Sequence, residues 1–265
     1  MIKLLRVEWM KVKNYRTFWI LLAITVLSIP GLSYAIYNLM NNSFPKGKGG
    51  KSLLGSPFAF PDVWQNVSWN SGWTFIIPAI LIITLTTNEF TYKTHRQNII
   101  DGWSRSQFFG VKLIELVLLS LLSTIVVLLT ALAFGFIGNK VPEGVSIWRE
   151  SRFIPFYFVQ MISYSMIAFL LAMLIKRAGL AIGAFLMYKL VEKIVVGISQ
   201  GGYKSHVMDY LPEEVTNLLV PQSYIKGITD PAKWEHQLPV YLLIAAVYLI
   251  IYCLVTGRRF LKSDL

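Results

Sequence analysis

The sequence predicts an all-α polytopic membrane protein with six transmembrane helices. Two features of its composition indicate this class: hydrophobic residues make up 55% of the 265-residue chain, and charged residues only 15%. Soluble domains carry roughly 25% charged residues, which cover their surface. The third observation is a series of apolar runs long enough to cross a bilayer. The apolar content and the single cysteine, Cys253, exclude disordered, collagen-like and disulfide-rich classes.

Each apolar run predicts one transmembrane helix, because about 20 residues cross the hydrocarbon core of a bilayer. The predicted spans are 18–39, 72–87, 111–137, 153–175, 178–198 and 239–256. The first run is too long for a signal peptide and lacks a small-residue cleavage site, so we expect it to remain as the first helix. The chain, residues 1–265, is predicted to form a single transmembrane domain.

The distribution of lysine and arginine predicts the orientation of the bundle. Basic residues are concentrated before the first span, after the second span and at the C-terminus, whereas most acidic residues lie in the alternate loops. Both termini are therefore predicted to be cytoplasmic. Nearly all of the formal net charge of +11 then lies on the cytoplasmic side, as expected for a membrane protein in this orientation. Nucleic acid is not needed to explain it and is not an expected partner.

The segment before the first span, residues 1–17, predicts an interfacial helix. Its apolar residues Ile2, Leu5, Trp9 and Val12 share one face at helical period. Such a helix lies in the headgroup plane with its apolar side towards the lipid. The alternative is a basic flank that only sets the orientation.

The loop at 88–110 carries helix signals although it is too polar to be buried in lipid. Thr94 can cap a short helix that runs to about Asp101, Gly102 can end it, and Ser104 can cap the next helix. A short cytoplasmic helix at this place would offer a docking surface. The alternative is a solvated basic loop, and composition does not choose between the two.

The loops on the opposite side contain tryptophans and a second short helix. Trp64, Trp69 and Trp73 are predicted to anchor the chain at the outer membrane interface. In the loop at 199–238, Pro212 followed by two glutamates predicts a helix that ends at Pro221. This helix either enters the bilayer or lies on the outer surface.

Lys189, Glu192 and Lys193 are charged residues within the fifth predicted span. Lys189 lies about 16 Å from the cytoplasmic end of that span, near the midplane. A lone cation at that depth costs on the order of 2.5–3.5 kcal/mol. Lys189 and Glu192 can pair at i, i+3 spacing, while Lys193 can extend outwards. We interpret the three residues as lining a translocation path or a dimer seam. The alternative is a structural pair buried between helices.

No pattern of catalytic or metal-binding residues occurs in the sequence. His95, His206 and His236 lie in loops without a second ligand at metal spacing. Residues 50–52, Gly-Lys-Ser, imitate the end of a phosphate loop, but Pro45 stands where its first glycine is required. No cytoplasmic segment is long enough for an ATP-binding domain, so the chain is expected to hold no cofactor and not to be an enzyme.

The sequence resembles the permease subunits of the ABC-2 type transporter family. The resemblance rests on the six spans behind a basic pre-helix and on a pattern of residues in the loop after the second span. That pattern reads Glu89-Phe90, Thr94, Arg96, Ser104-Arg105 and Lys112. The proline that often precedes the Ser-Arg pair in the family is replaced here by Gly102-Trp103.

The resemblance implies a half-transporter that pairs with a second permease copy or a related permease in the bacterial cytoplasmic membrane. It also implies cytoplasmic ATPase subunits that hold ATP and Mg²⁺ and bind a coupling helix in the loop. The implied ATPase-coupling residues are Glu89, Phe90, Thr94, Arg96, Gly102, Ser104 and Arg105. Family substrates include antibiotics, peptides and lipids, mostly exported. The alternative function is a membrane anchor or assembly subunit that transports nothing.

Overall fold

A computed structural model describes residues 2–43, 57–94, 102–138, 146–201, 206–223 and 231–262. Within these ranges every regular element is helical, which confirms the all-α prediction. The helices are α1 (Ile2–Lys13), α2 (Arg16–Ser43), α3 (Val63–Gly72), α4 (Ile76–Thr91), α5 (Arg105–Gly138), α6 (Phe153–Ile175), α7 (Ala178–Gly201), α8 (Pro212–Asn217) and α9 (Pro231–Lys262). A 3-10 turn, Trp73–Phe75, joins α3 to α4, and another, Val207–Tyr210, precedes α8.

Five helical stretches of the described chain are long and apolar enough to cross a membrane, as a multi-pass membrane protein requires. They are Arg16–Met40, Val63–Thr91, Arg105–Ile137, Phe153–Ile175 and Pro231–Phe260. The predicted span 178–198 also forms a helix, the 24-residue α7. It is not one of the five, because Lys189, Glu192 and Lys193 interrupt its apolar sequence.

Helix α6 lies at the centre of the bundle, where it contacts α3, α4, α5, α7, α8 and α9. Apolar residues lie on every side of it, as expected for a helix surrounded by others. Helices α2 and α9 are peripheral and expose large aliphatic side chains, with Leu27 68% and Leu243 65% exposed. Aliphatic faces of this extent are typical of helices that contact lipid or another subunit.

The second predicted span, 72–87, is too short, because the helical stretch begins at Val63. Its first part, α3, is rich in polar residues that are satisfied inside the protein. Asn66 Nδ2 donates to the Pro57 carbonyl at 2.7 Å, and Gln65 Nε2 donates to the Pro221 carbonyl at 2.8 Å. Pro61 can open a short helix in the sequence, and α3 begins two residues after it, at Val63.

The predicted interfacial role of Trp64 is wrong. Its side chain is fully buried, its indole N–H donates to the Ile147 carbonyl at 2.7 Å, and its ring stacks on Trp148. Trp73, by contrast, is 70% exposed. The two tryptophans differ because Trp64 belongs to α3, which packs against α5 and α6, whereas Trp73 lies in the turn after α3.

The ring of Phe60 packs directly on the backbone of α5 at Gly135. Phe60 is 3% exposed, and a Cβ atom at position 135 would overlap three atoms of its ring. Only glycine therefore allows the chain before α3 to approach α5 this closely.

We expect Gly135→Ala to lower the free energy of unfolding by about 1–3 kcal/mol, the usual range for overpacking a core. Thermal unfolding of the purified chain in detergent measures the loss. The matched control is Gly31→Ala in α2, where a Cβ atom meets nothing within 4 Å. Equal melting temperatures for wild type and Gly135→Ala would contradict the packing of Phe60.

Candidate functional site

Lys112 of α5 is the centre of a buried charge cluster where α1, α4 and α5 meet. Its side chain is 5% exposed and contacts Glu8 of α1 at 2.8 Å, Glu115 at 3.0 Å, and Glu89 near the end of α4. Lys11 of α1 adds a second ammonium group 2.5 Å from Glu8 Oε1. We call these five residues the Lys112 cluster. They join the first helix of the chain to both helices that flank the predicted coupling loop.

The carboxyl group of Glu8 is charged at neutral pH because of its lysine neighbours. Burial alone raises its pKa, but the charges of Lys112 and Lys11 and their hydrogen bonds outweigh burial and lower the pKa from 4.5 to about 2. A carboxyl group whose pKa is lower in the folded state stabilises that state above its unfolded pKa. The contribution of Glu8 is thus complete above about pH 4.5 and is lost as the pH falls towards 2.

The first half of the predicted coupling residues lies at the end of α4. Glu89 belongs to the Lys112 cluster, and the ring of Phe90 lies 5.2 Å from Lys176 Nζ in the turn between α6 and α7. Thr94 is the last residue described in the first part of the loop, and Arg96 lies outside the described residues.

The second half lies at the start of α5. Gly102 has a φ of +91°, a left-handed conformation that glycine adopts without steric cost. Ser104 Oγ accepts the N–H of Gln107 at 3.2 Å, and Gln107 Oε1 accepts the N–H of Ser104 at 3.0 Å. This reciprocal pair is a capping box, so the predicted cap at Ser104 is confirmed. Arg105 is the first residue of α5. The short helix predicted between Thr94 and Gly102 lies almost wholly outside the described residues, and its coupling role stays a prediction.

Sequence reasoning missed Glu8 as a partner of this site. Its signal was its position: Glu8 follows Leu5 by three residues and precedes Val12 by four, which places an acid on the apolar face of α1. A carboxylate on such a face requires a cation from another element, and Lys112 supplies it.

The second group of predicted site residues lies on α7, and all three contact α8. Glu192 Oε1 accepts the backbone N–H groups of Glu213 and Glu214 at 2.7 and 2.8 Å. Lys193 Nζ is 2.8 Å from Glu214 Oε2, and Lys189 Nζ is 3.2 Å from Glu213 Oε1. The pairing of Lys189 with Glu192 allowed by their spacing is wrong, because α8 packs on this face of α7 and supplies both partners.

Helix α6 adds uncharged polar groups to this arrangement. The Tyr164 hydroxyl donates to Glu213 Oε1 at 2.5 Å, and the Tyr164 ring centre lies 4.3 Å from Lys189 Nζ. Gln160 Nε2 donates to Asn217 Oδ1 at 2.6 Å. Together these side chains form the α7–α8 network, which borders a cavity of about 590 Å³. The members of the α7–α8 network are Gln160, Tyr164, Lys189, Glu192, Lys193, Glu213, Glu214 and Asn217.

The short helix predicted at Pro212 is confirmed as α8, although it ends at Asn217 rather than at Pro221. Gln160 and Tyr164 were missed, and their signal was a polar pair at i, i+4 within an otherwise apolar span. Whether Lys189, Glu192 and Lys193 line a path or a dimer seam stays a prediction.

We expect Lys112→Met to destabilise the protein by about 3–5 kcal/mol, because removal of one partner leaves buried charges uncompensated. Thermal unfolding in detergent measures the effect. Lys13→Met is the matched control, since Lys13 is exposed on the same helix as Glu8. A Lys112→Met protein that melts with the wild type would show that the cluster does not hold α1.

We expect Glu192→Ala to loosen α8, because two backbone N–H groups lose their acceptor, each at about 1–3 kcal/mol. Hydrogen exchange at the amides of Glu213 and Glu214 reports the change, with acceleration of about tenfold or more. Glu192→Gln keeps an oxygen acceptor and is the control. Unchanged exchange in Glu192→Ala would contradict the contact.

One protein family model covers almost all of this architecture. Residues 20–265 match the family described as Protein of unknown function (DUF2705). A comparison with curated proteins found no match. The matched region includes most of α2 and every described helix after it, and thus every residue discussed above except Glu8 and its neighbours in α1. The chain therefore belongs to the DUF2705 family.

Proposed function

We propose that this chain is the transmembrane permease subunit of an ABC-2 type transporter. It moves a substrate, by export, across the bacterial cytoplasmic membrane, and a separate ATPase subunit hydrolyses ATP. The observation that carries the proposal is the Lys112 cluster. It ties both helices that flank the loop after the second span to α1 through buried ion pairs. A loop that merely connected two spans would need no such junction.

The cluster gives a physical route from the loop to the bundle. Displacement of the loop pulls on the end of α4 at Glu89 and on the start of α5 at Ser104. Both helices meet at Lys112, whose buried contacts resist separate movement. A force applied by the ATPase to the loop is therefore transmitted to α1, α4 and α5 together.

Six spans with both termini in the cytoplasm agree with this function, and α7 supplies the sixth. The charges of α7 contact α8, which offsets part of the cost of placing them in a bilayer. Glu192 lies about 21 Å along α7 from its first residue, at 1.5 Å per residue. The contact between α8 and Glu192 at that depth supports, within this proposal, a re-entrant α8 in the outer leaflet.

The exposed aliphatic faces of the bundle support a partner within the membrane as well as lipid. The family resemblance makes that partner a second permease copy or a related permease, so that two chains enclose the pathway. Phe90 and Lys176 then lie on the cytoplasmic side, where the loop and the turn between α6 and α7 both approach the ATPase.

We expect the tagged wild-type chain, extracted from its native membranes in gentle detergent, to carry a stoichiometric ATPase with a phosphate loop. Arg96→Glu is expected to reduce the co-purified ATPase by about tenfold, because charge reversal in an interface opposes its partner. Quantitative mass spectrometry measures the ratio. Arg149→Glu, a charge reversal at an exposed arginine in a predicted outer loop, is the control.

A stable preparation that contains no ATPase would contradict the permease function and favour a membrane anchor instead. Equal ATPase recovery with Arg96→Glu and with the wild type would show that the loop is not the docking element.

A further inference from the structure

An apolar cavity of about 410 Å³ lies beside α1, enclosed by α1, α2, α4 and α5. Aliphatic and aromatic side chains form most of its wall, including Val12, Leu22, Ile82 and Leu119. The charged residues of the lining belong to the Lys112 cluster, in which the lysine contacts both carboxylates; they are Glu8, Lys112 and Glu115. Water does not fill a cavity with an apolar wall, so this space suits an apolar ligand.

The cavity opens at the surface of the bundle between α1 and α5. Trp9 of α1 and Leu118 and Leu122 of α5 belong to its lining, and all three side chains are exposed. Helix α5 is one of the helices that are long and apolar enough to cross a membrane, so its exposed leucines face hydrocarbon in a bilayer. A lipid chain can therefore enter the cavity from the side.

The length of the cavity matches one leaflet of a bilayer. Its wall on α5 extends from Lys112, at the charged end, to Leu122. Ten residues of α-helix span about 15 Å, which is half of the hydrocarbon thickness of about 30 Å. The cavity thus has room for the length of an acyl chain, from the level of the lipid head group to the middle of the bilayer.

The charges outside the charged end favour an anionic head group. The exposed charged side chains described in α1 and at the start of α2 are all basic: Arg6, Lys13 and Arg16. Together with the Lys112 cluster they give five cations against three carboxylates, which leaves two positive charges. Basic residues of this kind attract anionic lipids at a membrane surface.

Two contacts connect these basic residues to the opening of the cavity. The Trp19 indole N–H donates to the Lys13 carbonyl at 2.8 Å, and the Trp19 ring packs edge-on against Trp9, with 6.0 Å between ring centres. Trp9 itself lines the cavity. Tryptophan is a usual side chain at the head-group level of a bilayer. The turn that holds Lys13 and Arg16 therefore lies beside the place where a lipid chain enters.

We propose that this cavity binds one anionic phospholipid. An acyl chain lies along Leu119 and Leu122, and the phosphate lies outside the cavity, at Lys13 and Arg16. The bound chain fills the space between α1 and α5 next to the Lys112 cluster and so braces that junction. The inference goes beyond the proposed transport function and takes from it only the position of α1 at the cytoplasmic surface. Binding needs neither ATP nor the ATPase.

Native mass spectrometry of the full chain in detergent tests the site with two lipids that differ only in the head group. Phosphatidylglycerol and phosphatidylcholine, both with oleoyl chains, are titrated separately. One phosphatidylglycerol should bind per chain, about tenfold or more tightly than phosphatidylcholine, because only the former has a net negative charge. Equal affinity for both lipids, or binding of many copies without a plateau at one, would overturn the proposal.

Two changes test the cavity and the head-group contacts separately. Leu119→Trp should weaken phosphatidylglycerol binding by about tenfold or more, because the indole occupies the space of the acyl chain. Its control is Leu121→Trp, since Leu121 is exposed on the same helix and is not part of the lining. The double change Lys13→Gln with Arg16→Gln, at exposed positions, should weaken binding to a similar degree. Lys233→Gln, at an exposed lysine at the start of α9, is its control.

Unchanged affinity in Leu119→Trp or in the double variant would overturn the site, as would an equal loss in Leu119→Trp and Leu121→Trp. Failure of the lipid site and failure of the permease function are distinguishable. One bound lipid on a chain that carries no ATPase leaves the site and removes the transporter, whereas a bound ATPase without a bound lipid does the reverse.

Discussion

The junction of α1, α4 and α5 depends on one buried ammonium group. Lys112 could not be buried without anions, and its three carboxylates come from α1, from the end of α4 and from its own helix. Glu8 and Glu89 in turn are buried in contact with the Lys112 ammonium group. These contacts fix α1 against the bundle and hold together the two ends of the loop between α4 and α5.

The α7–α8 network compensates its buried charges with a different set of groups. Lys189 and Lys193 contact carboxylates of α8. The backbone N–H groups at the start of α8, which have no acceptor within their own helix, donate to Glu192. Neither α7 nor α8 is complete alone, because α7 carries charges that an apolar environment disfavours and α8 is only six residues long. Packing one against the other satisfies both. Gln160 Oε1 and Glu213 Oε2 are nevertheless buried without a hydrogen-bond partner among the described residues.

Helix α6 contributes contacts near both charged regions. Tyr164 and Gln160 of α6 belong to the α7–α8 network. Lys176, in the turn that follows α6, contacts the ring of Phe90. A helix packed on nearly every side moves as a rigid unit. In the proposed transporter, α6 is thus the element through which events at the cytoplasmic loop and at the outer cavity can influence each other.

The sequence by itself determined the helical class, the cap at Ser104 and the short helix at Pro212, because composition, apolar run length and capping chemistry are local properties. Span 153–175 was predicted to the residue, since its apolar run and its helix coincide. Only the tertiary structure decided the partners of Lys112 and Lys189 and the burial of Trp64. A buried polar group and a solvated one look identical in sequence. The difference lies in which distant group supplies the hydrogen bond or the counter-charge, and only packing brings Glu8 to Lys112 or Glu213 to Lys189.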